Sequence, residues 1–153
     1  MSFYPDVIKK DARFNTTDKV DDVNLLEPNM RRKVTAIISD AASAGHKLEV
    51  IETFRSQARQ KQLFDKGASK LEHVGVHNFG LAADFVFLND DGSPNWGADY
   101  SVLGHIAKAH NLVWGGDWSF KDYGHVQFCA VKDQPKLFNL SWYPDEDYNP
   151  LGV

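Results

Sequence analysis

With a single cysteine, Cys129, the chain cannot close a disulfide within itself. That excludes a disulfide-stapled scaffold, and a buried structural thiol is the expected role of Cys129. Positive charge is also short: 17 Lys and Arg against 21 Asp and Glu leave a formal net charge of −4 and a pI near 5.8. No overall basic field exists to draw the chain onto nucleic acid or anionic lipid, so neither is an expected partner. Nowhere does an apolar run approach the ~20 residues of a membrane span. Met1 to Asn15 mixes Asp6, Lys9, Lys10, Asp11 and Arg13 among apolar residues, without the unbroken apolar segment of a signal peptide. Synthesis in the cytoplasm and no membrane insertion are the expectations. Repeats, low-complexity tracts and linkers are absent too. At 153 residues, 42% of them hydrophobic, the chain suits one self-sufficient domain spanning 1–153, with a core over about 28–131 and a tail over 132–153. A monomer is expected.

The pattern of what is present is α+β. Pro28 at a first-turn position opens a helical repeat through Met30, Val34, Ile37, Ile38, Ala41 and Ala42, which Gly45 closes. Leu48 to Phe54 reads as a buried strand, and Ser56 caps a helix carrying Ala58, Leu63 and Phe64 that ends at Gly67. A second strand is expected over Leu81 to Leu88, a turn over Asn89 to Pro94, and a third helix over Tyr100 to His110. Val113 and Trp114 lead into the Gly115-Gly116 pair, and a last strand is expected over His125 to Val131. The tail, with Trp142 and Tyr143, reads as irregular wrapping. This order predicts a small antiparallel sheet packed by helices on one side.

Two places set a histidine near a carboxylate: His77-Asn-Phe-Gly80-Leu-Ala82-Ala-Asp84, and Asp122-Tyr-Gly-His125-Val-Gln127. Seven residues of unbroken strand would put His77 and Asp84 on opposite faces. A turn at Gly80 lets both face one cleft. Asp84 lies amid Ala82, Ala83, Phe85, Val86 and Phe87, where a carboxylate is costly unless paired, hydrogen-bonded or bound to metal. Two His and one Asp match a catalytic zinc site, which keeps one position for water. A further carboxylate off the metal is needed to take the proton from that water, and Asp122 is the candidate. Asp117 is positioned to orient a ligand histidine through its second ring nitrogen. Trp114 and Trp118 have two open readings, groove wall or core filling. His46, His73, His105 and His110 read as bland loop or helix residues.

From about Thr53 to Phe128 the chain resembles the zinc D-alanyl-D-alanine carboxypeptidases and L-alanyl-D-glutamate endopeptidases, which include VanY-like enzymes and phage endolysins. The family pattern Ser-x-His-x-x-Gly-x-Ala-x-Asp is matched over Gly75 to Asp84, and Asp/Glu-x-x-His over Asp122 to His125. Thr53-Phe-Arg55-Ser56, with Gln60, forms a third block. The resemblance implies zinc held by His77, Asp84 and His125, with Asp122 as base. It also implies that Arg55 faces the cleft, holding a substrate carboxylate or stabilising the oxyanion; a surface salt bridge is the alternative. Gln60 matches a recurrent family glutamine, with a helix-cap or surface role as the other reading, and Trp114 is carried as a possible substrate contact. The family serine is replaced by Gly75, so its hydroxyl is missing. Cleavage of peptidoglycan stem peptides is implied, first at L-Ala-D-Glu, with terminal D-Ala-D-Ala as the alternative. A short single-domain form points to a lysis enzyme of phage or prophage type acting on the wall. A non-catalytic zinc-stabilised module is a rival, since the signalling domain of hedgehog proteins resembles the same fold.

Overall fold

The computed structural model of the protein describes residues 3–69 and 74–144. Helix α1 runs over Pro28–Ser43. Proline serves at its first turn because its missing N–H has no helical partner there, and the Glu27 carboxylate accepts from the backbone N–H groups of Asn29 and Met30. Met30, Val34, Ile37 and Ala41, spaced by three or four, are its buried stripe.

Strand β1 (Leu48–Glu52) pairs antiparallel with β2 (Ala82–Leu88), which pairs in turn with β5 (His125–Gln127), and β5 with β4 (Val113–Trp114). A two-residue strand, β3 (Pro94–Asn95), closes a hairpin on the end of β2. Helices α2 (Gln57–Asp65) and α3 (Ser101–Ala109) complete the layer architecture. Every strand pairing is antiparallel, and the fold is α+β as the sequence predicts. Among the described residues no helix is long and apolar enough to cross a membrane.

Period-two alternation sorts the sheet into two faces. Cross-strand registry aligns Leu48 with Phe87, Val50 with Phe85, and Ala83 with Val126, and all six side chains join the main core with the buried stripe of α1 and Leu103 and Ala107 of α3. The alternate positions of β2 and β5 carry Asp84 and His125, and a register shift between Val50 and Glu52 brings Glu52 beside Asp84, so the three stand side by side across three strands. The sheet is thus a partition between core and chemistry.

Several boundaries differ from expectation, the first strand stopping at Glu52 instead of Phe54. The last strand stops at Gln127 instead of reaching Val131, and the supposedly irregular tail contains α4 (Gln134–Phe138), opened by Pro135. Leu137 of this helix is fully buried, and the Tyr143 hydroxyl donates to Phe79 O at 2.7 Å, so the tail is part of the packing. The core also begins before residue 28: Ile8, Val20, Leu25 and Phe54 form a second buried cluster. Residues 145–153 of the expected tail, and His73, lie outside the described residues.

Candidate metal centre

His77 sits on a single 3-10 turn, Val76–Phe79, immediately before β2. Gly80 ends that turn at φ +72°, in the left-handed region, and a Cβ there would fall 2.6 Å from Leu25 O. Only glycine meets both demands. Asn78 ties the turn down, donating to Arg55 O at 2.5 Å and accepting from the Gly75 N–H. Gly75, in place of the family serine, contributes this backbone N–H and no side chain. On the far wall, Gly115 accepts from the Asp122 N–H at 3.1 Å, and a Cβ on it would meet Asp122 O at 2.5 Å. The loop bearing Asp122 therefore folds directly onto glycine backbone.

These elements converge. One donor atom each from His77, Asp84 and His125 lies within 4.8 Å of the others. His77 Nε2 is 3.3 Å from Asp84 Oδ2, and His125 Nδ1 is 3.2 Å from Asp84 Oδ1. Donors at about 2.0–2.1 Å from a tetrahedral zinc stand about 3.3 Å apart, so the spacing matches. His77 Nε2 is buried without a hydrogen-bond partner, an expense that a metal would remove. Burial alone would push the Asp84 carboxyl up; the two imidazoles outweigh it and hold the group well below the usual carboxylate range. Burial would likewise depress His125, yet its hydrogen bond to Asp84 leaves its pKa raised. A pocket that favours an anion and gathers positive charge in this way fits a divalent cation.

The other ring nitrogens are occupied differently from expectation. His77 Nδ1 lies 2.8 Å from Thr53 O, and His125 Nε2 lies 2.9 Å from Gln127 Oε1. Asp117, assigned in the sequence reading to orient a histidine, instead pairs with Lys108 at 2.6 Å. Gln127 was missed in that role, although it follows His125 by two and so shares its strand face. The Thr53 carbonyl carries no side-chain signal at all.

Asp122 stands at the rim, its Oδ2 3.9 Å from His125 Nδ1 and its side chain half exposed. Desolvation raises its carboxyl pKa, with the nearby Asp84 charge adding to the effect. Arg55 lines the same cleft, and its guanidinium makes four hydrogen bonds there. Nε and Nη2 bond Glu52, Nη2 also reaches Asp84 Oδ2 at 3.3 Å, and Nη1 donates to Gln60 Oε1 at 3.1 Å. It is not a surface bridge; it braces Asp84 from the wall of the cleft. Gln60 is fully buried and also donates to Ser69 Oγ at 2.7 Å, so its cap and surface readings fall. Glu52, overlooked in the sequence, is the hub, bonding both Arg55 and Arg59. Its signal was a carboxylate on a buried register of β1.

Trp114 fills space between Gly104 and Gly116 and donates its N–H to Tyr123 O at 2.7 Å. It lines the adjoining cavity walled by Asp84 and Asp122, not the one around the imidazoles, which Trp118 lines with its ring 5.2 Å from that of His125. Of the remaining histidines, His110 pairs with Asp40 and His46 packs on Phe87, while His105 is exposed on α3; none joins the centre.

The family described as D-alanyl-D-alanine carboxypeptidase matches residues 71–128. The Bacillus subtilis (strain 168) peptidoglycan L-alanyl-D-glutamate endopeptidase CwlK is 32% identical over 121 residues, covering 67% of this chain and 72% of that protein. Among solved structures, the L-Ala D-Glu endopeptidase ChiX of Serratia marcescens superposes with a TM-score of 0.64 at 22% identity, over 78% of this chain and 96% of that one. A vancomycin-resistance D,D-pentapeptidase VanY variant in complex with Zn(II) gives 0.55 at 13% identity, over 74% and 78%. The Bacillus relative is similar across most of its length, beyond the local motifs, and the chain therefore belongs to the peptidoglycan peptidase family that joins these L-alanyl-D-glutamate endopeptidases with the D-alanyl-D-alanine carboxypeptidases.

Proposed function

We propose that the chain is a zinc-dependent L-alanyl-D-glutamate endopeptidase of peptidoglycan stem peptides, with His77, Asp84 and His125 as the metal ligands. The observation that carries the zinc reading is the buried His77 Nε2, which makes no hydrogen bond and lies with an Asp84 oxygen and His125 Nδ1 in one cluster of donor atoms. The choice of bond follows the Bacillus relative named for it.

When bound, zinc supplies Lewis acidity, making a water acidic near neutral pH and polarising a carbonyl. The chain's own residues do the rest. Thr53 O and Gln127 fix the two rings so that His77 Nε2 and His125 Nδ1 face inward. Arg55, itself locked by Glu52 and Gln60, holds Asp84 in place. Asp122, close to His125 yet reachable from solvent, accepts the proton from the attacking water and returns it to the leaving amine.

Digestion of purified peptidoglycan by the zinc-loaded protein, followed by mass spectrometry, tests this. New amino-terminal D-Glu and carboxy-terminal L-Ala are expected, lost on chelation and restored by zinc. Asp122→Asn should retain one zinc per chain and lower the rate by about 10²- to 10⁴-fold. Release of free D-alanine would move the protein to the carboxypeptidase reading. A protein that binds zinc and the wall but yields no products would be a binding module.

A further inference from the structure

Asp84 and Asp122 wall two cavities. One, of about 760 Å³, contains the imidazoles and is lined by the cations Lys19, Arg55 and Arg59. The other, of about 610 Å³, is lined by Trp96, Asp99, Ser101 and Tyr123 among others, and no lysine, arginine or histidine contributes to it. Two of its aromatic rings are unusually open, with Trp96 67% and Tyr123 52% exposed. Trp96 has no ring partner among the described residues. Exposed aromatics gathered at the mouth of a cleft are surface that binding would cover.

The two cavities differ in the charge they tolerate. A stem peptide is acidic beyond its first alanine; on the first side Arg55 and Arg59 are paired with Glu52, and Lys19 offers its carboxylates a cation, whereas the second side has none. The side walled by Asp84, Asp99 and Asp122 repels carboxylates and accepts hydrogen bonds from hydroxyls. A neutral ring with an apolar face and a hydroxyl edge satisfies it.

We propose that the second cavity is a sugar subsite, taking the N-acetylated muramyl ring that carries the stem peptide, stacked on Trp96 and Tyr123 with its hydroxyls donating toward Asp99. The inference rests on the L-Ala-D-Glu reading above. In that reading one alanine separates the cut bond from the lactyl group of the sugar, roughly 3.5 Å of chain, so the ring must lie beside the metal centre. A cut after the fourth residue would leave it about 14 Å away. The substrate then crosses the centre in one direction, sugar toward Trp96 and acidic residues toward Lys19.

The experiment compares kcat/KM of the zinc-loaded full chain on N-acetylmuramyl-tripeptide and on the same tripeptide without sugar. The sugar-bearing substrate should be preferred by about tenfold, the ratio that about 1.4 kcal/mol produces. Trp96→Ala should bring the preference down toward unity, while Trp96→Phe, which keeps a ring, should retain most of it. Trp96 is largely in solvent, and zinc content with far-ultraviolet circular dichroism verifies that each variant is folded. Equal rates on both substrates in the wild type, or a full preference in Trp96→Ala, would overturn the subsite. Products showing that neither substrate is cut between L-Ala and D-Glu would overturn the scissile-bond reading, and the subsite with it.

Discussion

The two imidazoles of the centre are held by different kinds of structure. The ring of His77 is anchored by main chain: its outer nitrogen meets the Thr53 carbonyl, on a turn that Gly80 closes. His125 is anchored by side chain: Gln127 faces its outer nitrogen and is itself fixed by donating to Cys129 O and Gln134 Oε1. The exposed carboxylate, Asp122, belongs to the His125 side, whereas the buried Glu52 with its two arginines backs the His77 side. One half is scaffold and the other holds the proton-moving group. A main-chain anchor survives side-chain substitution, and a side-chain anchor does not.

Removing either imidazole is the most severe way to break this comparison. His77→Ala and His125→Ala should each abolish stoichiometric zinc, measured by atomic absorption after dialysis, and with it all detectable wall hydrolysis. A His125→Ala protein that kept one tightly held zinc would show that the two halves do not share one ion.

Next in size is the scaffold itself. Glu52 is almost fully buried between Arg55 and Arg59, and cutting one partner from such a group costs about 3 kcal/mol because charges are left uncompensated. Glu52→Gln should therefore lower the unfolding free energy at neutral pH by about that amount in a urea titration. Burial would raise the Glu52 pKa, but the arginines outweigh burial and depress it from its ordinary 4.5. A depressed folded value means that the contribution is complete above pH 4.5 and drains away as pH falls through the folded value. The stability gap between wild type and Glu52→Gln should accordingly narrow below pH 4.5; a gap that widened there would refute the ion-pair account.

How legible these halves were in the sequence follows the same division. His77, Gly80 and Asp84 could be read because a turn between histidine and strand was the one way to face both at a cleft, and the burial cost of Asp84 demanded a partner. Glu52 and Gln127 were harder to see, since their meaning depends on which strands become neighbours: Glu52 matters because it lies opposite Asp84, and Asp84 because it lies opposite His125. Asp117 illustrates the opposite error. Sequence proximity to His125 suggested a contact, but its carboxylate is drawn to Lys108 on α3. Helix α4 escaped notice because five residues are too few for a periodic signal, although Pro135 stands in its first turn.

The finest test separates the two anchors directly. Gln127→Ala removes the acceptor at His125 Nε2, and losing such an outer partner typically weakens metal binding about 10- to 100-fold. Thr53→Val removes a hydroxyl that donates to Asp22 O at 2.8 Å, with Val20 O at 3.3 Å as its second acceptor, and leaves the carbonyl at His77 Nδ1 untouched. It should cost about 1 kcal/mol of stability, the worth of one hydrogen bond, without weakening zinc to a comparable degree. Competitive titration against a zinc chelator reads both affinities. Should Thr53→Val weaken zinc as much as Gln127→Ala, the hydroxyl is what keeps the Thr53 carbonyl in place, and the His77 anchor depends on a side chain after all.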